Sequence, residues 1–465
     1  MTTTADAGRV RIYPRSVSGK FRRLKYAVLA IAYLVYYGLP WLPWHRATGP
    51  DQAVLFDIVG RKYYLFDLVV QPQQIFWLAG FLVLAAMLLF FVTGIAGRVF
   101  CGFFCFQTLW TDLFMRIEYW VQGERPARIR LDQQPWGPEK LRKKGLTWLL
   151  WFLVAFWTAI TFTLYWGEAG TLLREFFTGT APAAMYITTG ILTFTTFTMA
   201  GLAREQVCTH MCPYSRFQAA MFDKDTKLVT YDLRRGEGEQ GRSKVRKGLK
   251  TLEERHAAGV GDCIDCGYCV QVCPTGIDIR NGLQVQCIHC GLCIDACNTI
   301  MDNMGWPRGL IRFSSAREQE GGKARLFKLK TVGYGLSILV VTVLLFWSVS
   351  HQGEIDTAVR QIRQPLYVLL SDGSIQNSYQ IKLSNLTSET HHYSLRIKDL
   401  PGAQLDVGHF RTVELKPLKH LTLLVKVRTP QPPPGAARIQ DFEFEVVNRD
   451  TGAVAAIVPA RFYRP

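Results

Sequence analysis

The stretches CIDCGYCVQVC at 263–273 and CIHCGLCIDAC at 287–297 decide how this chain is organised. Both read CxxCxxCxxxC, they lie 24 residues apart, and together they hold eight of the twelve cysteines. Three closely spaced thiolates with a remote fourth is the spacing that binds a cubic [4Fe-4S] cluster, and in two-cluster ferredoxins the fourth cysteine of each run serves the other cluster. The expected ligand sets are therefore Cys263, Cys266, Cys269 and Cys297 for one site, and Cys287, Cys290, Cys293 and Cys273 for the second. Zinc ribbons, the competing reading, present pairs of CxxC without the third and fourth cysteine. Pro274 follows the first run as the motif requires, whereas Asn298 follows the second. His289, inside the second run, reads as a spacer that shields the site.

Outward from this module the chain turns apolar. It has 465 residues, 49% hydrophobic and 20% charged, enough for several domains. Five stretches, 27–44, 75–97, 146–166, 182–202 and 331–350, contain no Asp, Glu, Lys or Arg. Each is about 20 residues long, enough to cross a hydrocarbon core. Pro40 and Pro43 interrupt the first near its far end, and Trp and Tyr collect at the edges, as at Tyr33, Trp41, Trp44, Trp148 and Trp166. A buried core helix is the alternative for any one segment, and a cleaved signal peptide for the first. No small-residue cleavage site follows that first segment, so it reads as an uncleaved anchor.

The net charge of +17 raises nucleic acid as a partner, but its placement argues for a membrane. Arg9, Arg11, Arg15, Lys20, Arg22, Arg23 and Lys25 precede the first stretch, and nine more basic residues lie from Arg98 to Lys144. Basic loops stay in the cytoplasm. The expected order is a cytoplasmic N-terminus at 1–26, a four-helix membrane domain at 27–202, and a cytoplasmic region at 203–330 holding the cluster module at about 255–310. A fifth membrane helix at 331–350 and a domain outside at 351–465 complete it. All twelve cysteines then face the reducing side, where thiolates ligate metals rather than form disulfides.

A quieter repeat concerns the remaining cysteines. Cys101 and Cys105 follow the second apolar stretch, Cys208 and Cys212 the fourth, with an offset of 107 in both cases. If the helices continue, the i, i+4 spacing puts both thiols of a pair on one face. Four thiolates at one depth form a candidate metal or redox site; four buried small hydrophobes are the plain alternative. His210 and Met211 are further candidate ligands there. The stretch 223–261, polar and basic, reads as a linker or surface helix. Beyond 350, alternating runs at 366–370, 375–383, 392–397, 420–428 and 439–447 read as strands, separated by turn signals at Asp372-Gly373, Pro401-Gly402, Pro432 to Pro434 and Asp450-Thr451-Gly452. They suggest a β-sandwich of immunoglobulin type. Asn385-Leu386-Thr387 matches a glycosylation sequon, a triplet common by chance.

RVFCGFFCFQTLW at 98–110, VCTHMCPYSRFQ at 207–218, the two cluster runs and the β-rich tail together resemble one family over nearly the full chain. It is the membrane-bound polyferredoxins called cytochrome c oxidase accessory proteins, the CcoG, FixG or RdxA group. Members usually carry Pro after the second cysteine of the first membrane pair, where this chain has Phe106. The resemblance implies a multi-domain protein of the bacterial inner membrane with two cytoplasmic [4Fe-4S] clusters and a periplasmic immunoglobulin-like domain. It also implies a role in maturing a cbb3-type oxidase by reducing Cu(II) to Cu(I); the equal offset of the two pairs and the preference of Cu(I) for soft thiolates make Cys101, Cys105, Cys208 and Cys212 the expected copper site. A cytoplasmic electron donor and a copper chaperone or oxidase assembly factors are the expected partners; nucleic acid is not. Two other readings stay open: an electron conduit to quinone or a partner reductase, and an assembly scaffold with structural clusters.

Overall fold

A computed structural model describes residues 11–46, 48–387, 389–431 and 437–465. Arg9 and the run Pro432 to Pro434, both read above, lie outside the described residues. The chain divides into two compact units, Met1–Trp44 with Gln52–Val343, and His45–Asp51 with Leu344–Pro465.

In the first unit, helix α1 (Lys20–Gly38) leads through a 3₁₀ turn, Leu39–Trp41, into a three-stranded meander of β1 (Val54–Asp57), β2 (Lys62–Leu65) and β3 (Leu68–Val70). Helix α2 (Ile75–Ala96) follows, then a short α3 (Val99–Phe103), α4 (Phe106–Gln122), α5 (Arg125–Gln133), α6 (Pro138–Leu164), α7 (Ala169–Thr178) and α8 (Ala183–Thr196). The last of these continues as a π-helical segment, Phe197–Ala203. A second π turn, Val207–Met211, precedes α9 (Pro213–Ala220).

Among the described residues, four helices are long and apolar enough to cross a membrane: Ile75–Ala96, Pro138–Leu164, Ala183–Ala203 and Leu329–Ser350. Four of the five expected spans are thus found, the third starting earlier than 146 because Pro138 opens its helix. The stretch 27–44 is the exception. Its helix begins at Lys20, so its first turns carry Lys20, Arg22, Arg23 and Lys25, and its uncharged part ends at Gly38 before Pro40 tightens the turn. One side of α1 nevertheless packs on the bundle through Val28, Leu29, Ala32, Tyr33 and Tyr36, while Ile31, Leu34 and Val35 stand exposed.

The basic N-terminal segment is fastened by buried ion pairs rather than left as a tail. Arg22 Nη1 meets Asp112 Oδ1 at 2.8 Å, and Glu118 accepts from Arg204 at 2.5 Å and from Arg128 at 3.2 Å. Arg11 reaches Asp132 at 2.9 Å. Burial alone would raise the Asp112 carboxyl; Lys25 and Arg22 overcome it and hold it below the usual range. Removing one partner of such a buried pair strands the other charge, which is costly.

The cluster module follows with β4 (Leu228–Tyr231), α10 (Leu233–Glu237), α11 (Leu252–Ala257), α12 (Tyr268–Gln271), α13 (Leu292–Met304), β5 (Ile311–Ser314) and α14 (Ala316–Gln319), before α15 (Leu329–Ser350). The stretch 223–261 is therefore no linker. Its strand β4 pairs antiparallel with β5 across the module, and Val229 and Tyr231 lie in the same core as Cys263, Cys269, Ile279 and Met301. Alternation over so few residues is too weak to announce a strand whose partner lies beyond both cysteine runs.

The second unit is a sandwich of two antiparallel sheets. Strands β6 (Ile355–Gln361), β7 (Val368–Leu369), β8 (Ile375–Asn385), β9 (His391–Lys398), β10 (Gln404–Asp406), β11 (Val413–Leu415), β12 (His420–Thr429), β13 (Ile439–Asn448) and β14 (Val454–Tyr463) order as β10-β12-β8-β6, with β7 also on β8, and as β11-β9-β13-β14. Leu423, Val425 and Val427 point inward from β12 while Leu424 points out, the period-two signature of a half-buried strand. They meet Tyr379, Ile381, Phe442, Phe444 and Phe462 in one core. Asn385 is fully buried, its amide donating to the carbonyls of Glu389 and Leu415, so the sequon is a structural corner and not an exposed acceptor.

Candidate metal centres at the membrane edge

The two cysteine runs fold as the same loop twice. Asp265 and His289, each directly before the second cysteine of its run, adopt left-handed backbone with φ of 48° and 51°, and Gly267 and Gly291 follow at 64° and 75°. Left-handed conformations at alternate positions bend each loop around a cavity and launch α12 and α13. Two small cavities result. One is lined by Cys263, Cys266, Cys269 and Cys297, the other by Cys273, Cys287, Cys290 and Cys293 with Cys269 at its edge. The crossed ligand sets expected from the spacing are the sets brought together.

Burial pushes the thiols of Cys269 and Cys297 up to about 12, with the neighbouring cysteines of the same set adding to it. Burial does the same to Cys287, again to about 12. Such thiols release their protons only to a cation, which is the chemistry of a thiolate-ligated iron cluster. The fit is good: two cavities with apolar walls, each with four soft ligands. Asn298, in place of a proline, lies inside α13, where proline would break the helix; its side chain accepts from the Gly309 amide at 3.2 Å.

The membrane-edge pairs differ from expectation in their local structure. The helices do not continue through them. α3 ends at Phe103, and Cys105 is extended (φ −61°, ψ 129°) as the N-cap of α4. Likewise Cys212 (φ −81°, ψ 111°) caps α9 after the π turn that carries Cys208. The two thiols of a pair therefore do not share a helix face; one sits on a short turn and the other at a helix start. Phe106 takes the first helical position that Pro213 takes in the second copy, a position whose N–H needs no partner, so either residue serves.

All four thiols are nonetheless neighbours. Cys208 feels Cys105, Cys101 and Cys212 electrostatically, and Cys101 feels Cys105 and Cys212. Burial is the main cause that raises Cys208 to about 12, and Arg98 opposes it. The Cys101 thiol donates to Gln218 Oε1 at 3.0 Å, and Gln218 is itself buried. Among the described residues no group of three or more His, Cys, Asp or Glu side chains stands ready to hold a single metal ion, so the quartet is a gathering of thiols and not a preformed cage. His210 and Met211 show no contact with the quartet that would recruit them.

The decisive juxtaposition is between this quartet and the second cavity. Cys101 packs in one cluster with Ile288, Cys290 and Leu292. A Cβ on Gly102 would lie 2.7 Å from the Ile288 carbonyl oxygen and 2.9 Å from the Cys290 Cα, so α3 rests on the backbone of the second cysteine loop. The Arg98 amide donates to His289 Nδ1 at 2.9 Å, and its guanidinium donates to the carbonyls of Val285 and of Cys287 (3.3 Å). His289 is buried and its pKa is pushed down to about 4, by burial first and by Arg98 second, so it is neutral. Its ring pins the chain at Gly97 and Arg98 to the second cysteine loop. Sequence reading missed Gly102 and Gln218 in these roles, although both lie inside the stretches 98–110 and 207–218 that carry the family resemblance. Gly102→Val is expected to force these backbones apart at a cost of about 1–3 kcal/mol. Iron per purified chain should fall clearly, and Gly102→Ala should fall between the parent and Val.

Comparison with known proteins bears on the same residues. The family described as "4Fe-4S dicluster domain" matches 203–316, and one described as an IG-like fold at the C-terminal of FixG matches 345–465. Protein RdxA of Cereibacter sphaeroides is 39% identical over 478 residues, covering 100% of this chain and 99% of its own. The chain belongs to the FixG/RdxA family. Protein RdxB of the same organism is 42% identical over 90% of this chain and 88% of its own, and the nitrogen fixation protein FixG of Rhizobium meliloti is 38% identical over 92% and 90%. As a FixG/RdxA protein the chain is an iron-sulfur electron-transfer protein, with the dicluster match spanning β4 as well as both cysteine runs.

Proposed function

We propose that this FixG/RdxA chain is a cupric reductase of the bacterial inner membrane that supplies Cu(I) for assembly of a cbb3-type oxidase, through a copper chaperone or assembly factors. The observation that carries the reading is the gathering of Cys101, Cys105, Cys208 and Cys212 beside one another, with Cys101 packed against Ile288 and Cys290 of the second cysteine loop. Soft thiolates favour Cu(I) over Cu(II), so binding at the quartet pulls the couple toward reduction. Iron-sulfur clusters, when bound in the two cavities, supply single electrons, which is the stoichiometry of Cu(II) to Cu(I). The four thiols would bind copper as thiolates, their protons passing to solvent; Arg98 favours the thiolate form of Cys101 and Cys208.

A second reading, electron delivery to a quinone, is favoured by a cavity of about 440 Å³ lined by Trp136, Trp148, Trp151, Arg204 and Glu205. It lies one turn ahead of Cys208 in sequence and has the aromatic walls and polar groups a quinone head needs. One measurement separates the two. Dithionite-reduced protein mixed anaerobically with one equivalent of Cu(II) is expected to reoxidise, with Cu(I) trapped by bicinchoninate, faster than with a soluble quinone. Reoxidation by quinone and not by copper transfers the function to the conduit reading. Reoxidation by neither favours a scaffold.

For orientation, we propose a cytoplasmic N-terminus and cluster module and a periplasmic immunoglobulin-like unit, from the basic residues between Arg98 and Lys144. This requires α1 with its 3₁₀ turn to cross as a fifth span, in line with the exposed Ile31, Leu34 and Val35. Alkaline phosphatase fused after residue 360 is expected to be active and after residue 250 inactive. The reverse pattern, active after residue 250 and inactive after residue 360, would overturn this orientation and with it the crossing of α1.

A further inference from the structure

Electrons that leave through the membrane edge must enter elsewhere, and the two cavities are not equally covered. The second is capped on several sides. Beyond the contact of Gly102, a Cβ at Gly291 would lie 2.6 Å from the Phe21 ring, and one at Gly97 would lie 2.9 Å from His289 Nδ1. The amides of Phe21 and Arg22 donate to Asp295 at 3.2 and 2.8 Å, closing the N-terminal segment over that loop. By contrast, of the twelve cysteines Cys266 alone is exposed, and it belongs to the first cavity.

Beside Cys266 runs a basic loop. Lys244, Arg246, Lys247 and Lys250 are exposed between Arg242 and the start of α11, and among the described residues Lys244, Arg246 and Lys247 have no ion-pair partner. The loop is fastened to the first cysteine run, not to a membrane helix. Arg255, fully buried, donates from Nη2 to the carbonyls of Ser243 (3.0 Å), Gly261 (2.7 Å) and Cys263 (2.9 Å). Arg242 reaches Asp265, the residue before Cys266, at 3.7 Å. Leu249 is buried and its amide donates to the Arg246 carbonyl at 3.0 Å, which closes the turn and holds the flanking cations outward. A solvated charge run is the ordinary fate of such a segment, but one tied by a buried arginine to a ligand loop is positioned.

We propose that this loop and the exposed Cys266 form the docking face for an acidic one-electron carrier protein of the ferredoxin or flavodoxin kind. The inference rests on the dicluster reading but not on copper. In the step, the carrier is oxidised by one electron and the dicluster domain is reduced by one, with no bond made or broken. Paired positive and negative faces steer such encounters and make them sensitive to salt.

The test uses the full chain in phosphatidylcholine nanodiscs with a reduced acidic [2Fe-2S] ferredoxin as probe. Charge reversal at four positions, K244E, R246E, K247E and K250E, is expected to weaken ferredoxin binding and slow electron uptake from it by about tenfold or more. The fall of the parent rate with rising salt should flatten in the variant. Direct reduction by dithionite, iron content and oxidation by Cu(II) of the dithionite-reduced protein should not change, which separates failure here from failure of the copper reading. A variant that takes electrons from ferredoxin at the parent rate overturns the proposal. So does a parent rate that salt does not slow, a measurement that needs no variant. If reversal instead removes binding to phosphatidylglycerol vesicles and leaves the ferredoxin rate intact, the loop faces the membrane surface and the proposal is wrong.

Discussion

Changing Cys101, Cys105, Cys208 and Cys212 together to serine is expected to abolish copper binding and to slow Cu(II)-dependent oxidation of the reduced protein by at least about a hundredfold, while both iron-sulfur EPR signals persist. The magnitude follows from chemistry. Serine keeps the shape of the side chain but replaces four soft ligands with hydroxyls that stay protonated and bind Cu(I) poorly. The persistence follows from geometry. None of the four lines either cavity of the dicluster domain, and although Cys101 packs against Ile288 and Cys290, the close approach of Gly102 and the hydrogen bonds of Arg98 to that loop are kept in the variant. Cys101 loses one weak hydrogen bond to Gln218, and the serine hydroxyl that replaces its thiol can donate the same bond. Single changes should grade. Cys105→Ser and Cys212→Ser alter helix starts where serine is itself a preferred cap, so folding is spared and any loss is a ligand effect. A quadruple variant that reduces copper at the parent rate would remove the quartet from the mechanism.

How much of this was legible without coordinates depended on whether a feature is local. The cysteine spacing is short-range, and the structure brings each of the two crossed sets of four together at one cavity, because three of the four come from one short run of sequence. The apolar stretches and the longer strands were likewise visible, since burial on one or all faces leaves a periodic trace. Strands β6, β10, β11 and β14 and the small β1–β3 meander were not foreseen: β10 and β11 are three residues long, β6 lies at its sheet's edge, and β14 carries Pro459 and exposed Val454 and Ile457 at the other sheet's edge. The N-terminal segment is the sharper lesson. Its basic residues were read as topology signals alone, yet Arg11, Arg22 and Lys25 find acidic partners on α4 and α5, and Phe21 caps the distant cysteine loop at Gly291. Nothing in a local window announces such partners. The helix break at Cys105 was hidden for a different reason: with Phe at 106 in place of proline, the sequence carries no stop signal there, and only the repeat with Cys212-Pro213 hints at one.

The same asymmetry of coverage makes two single substitutions diverge. Cys290→Ser is expected to lower iron from about eight to about four per chain and to eliminate copper reduction although the quartet is intact. Cys290 lies on the loop against which Gly102 packs, so the second cavity is the one that stands between the first and the membrane edge. Cys266→Ser also removes one site's worth of iron and loosens the other, since Cys273 and Cys297 cross between the two runs and each loop braces its neighbour's fourth ligand. Its functional effect should differ. Dithionite, being small, still reduces what remains in the second cavity, so a fraction of copper reduction survives with dithionite while uptake from a protein donor at the exposed face is lost. The order donor face, first cavity, second cavity, quartet predicts this split, and a branched arrangement does not. Iron and sulfide analysis, EPR spin counts and copper reduction under the two reductants decide it: equal copper rates in Cys290→Ser and Cys266→Ser with dithionite would break the linear order, and a Cys290→Ser protein that still reduces copper at the parent rate would show that electrons reach the thiols by another way.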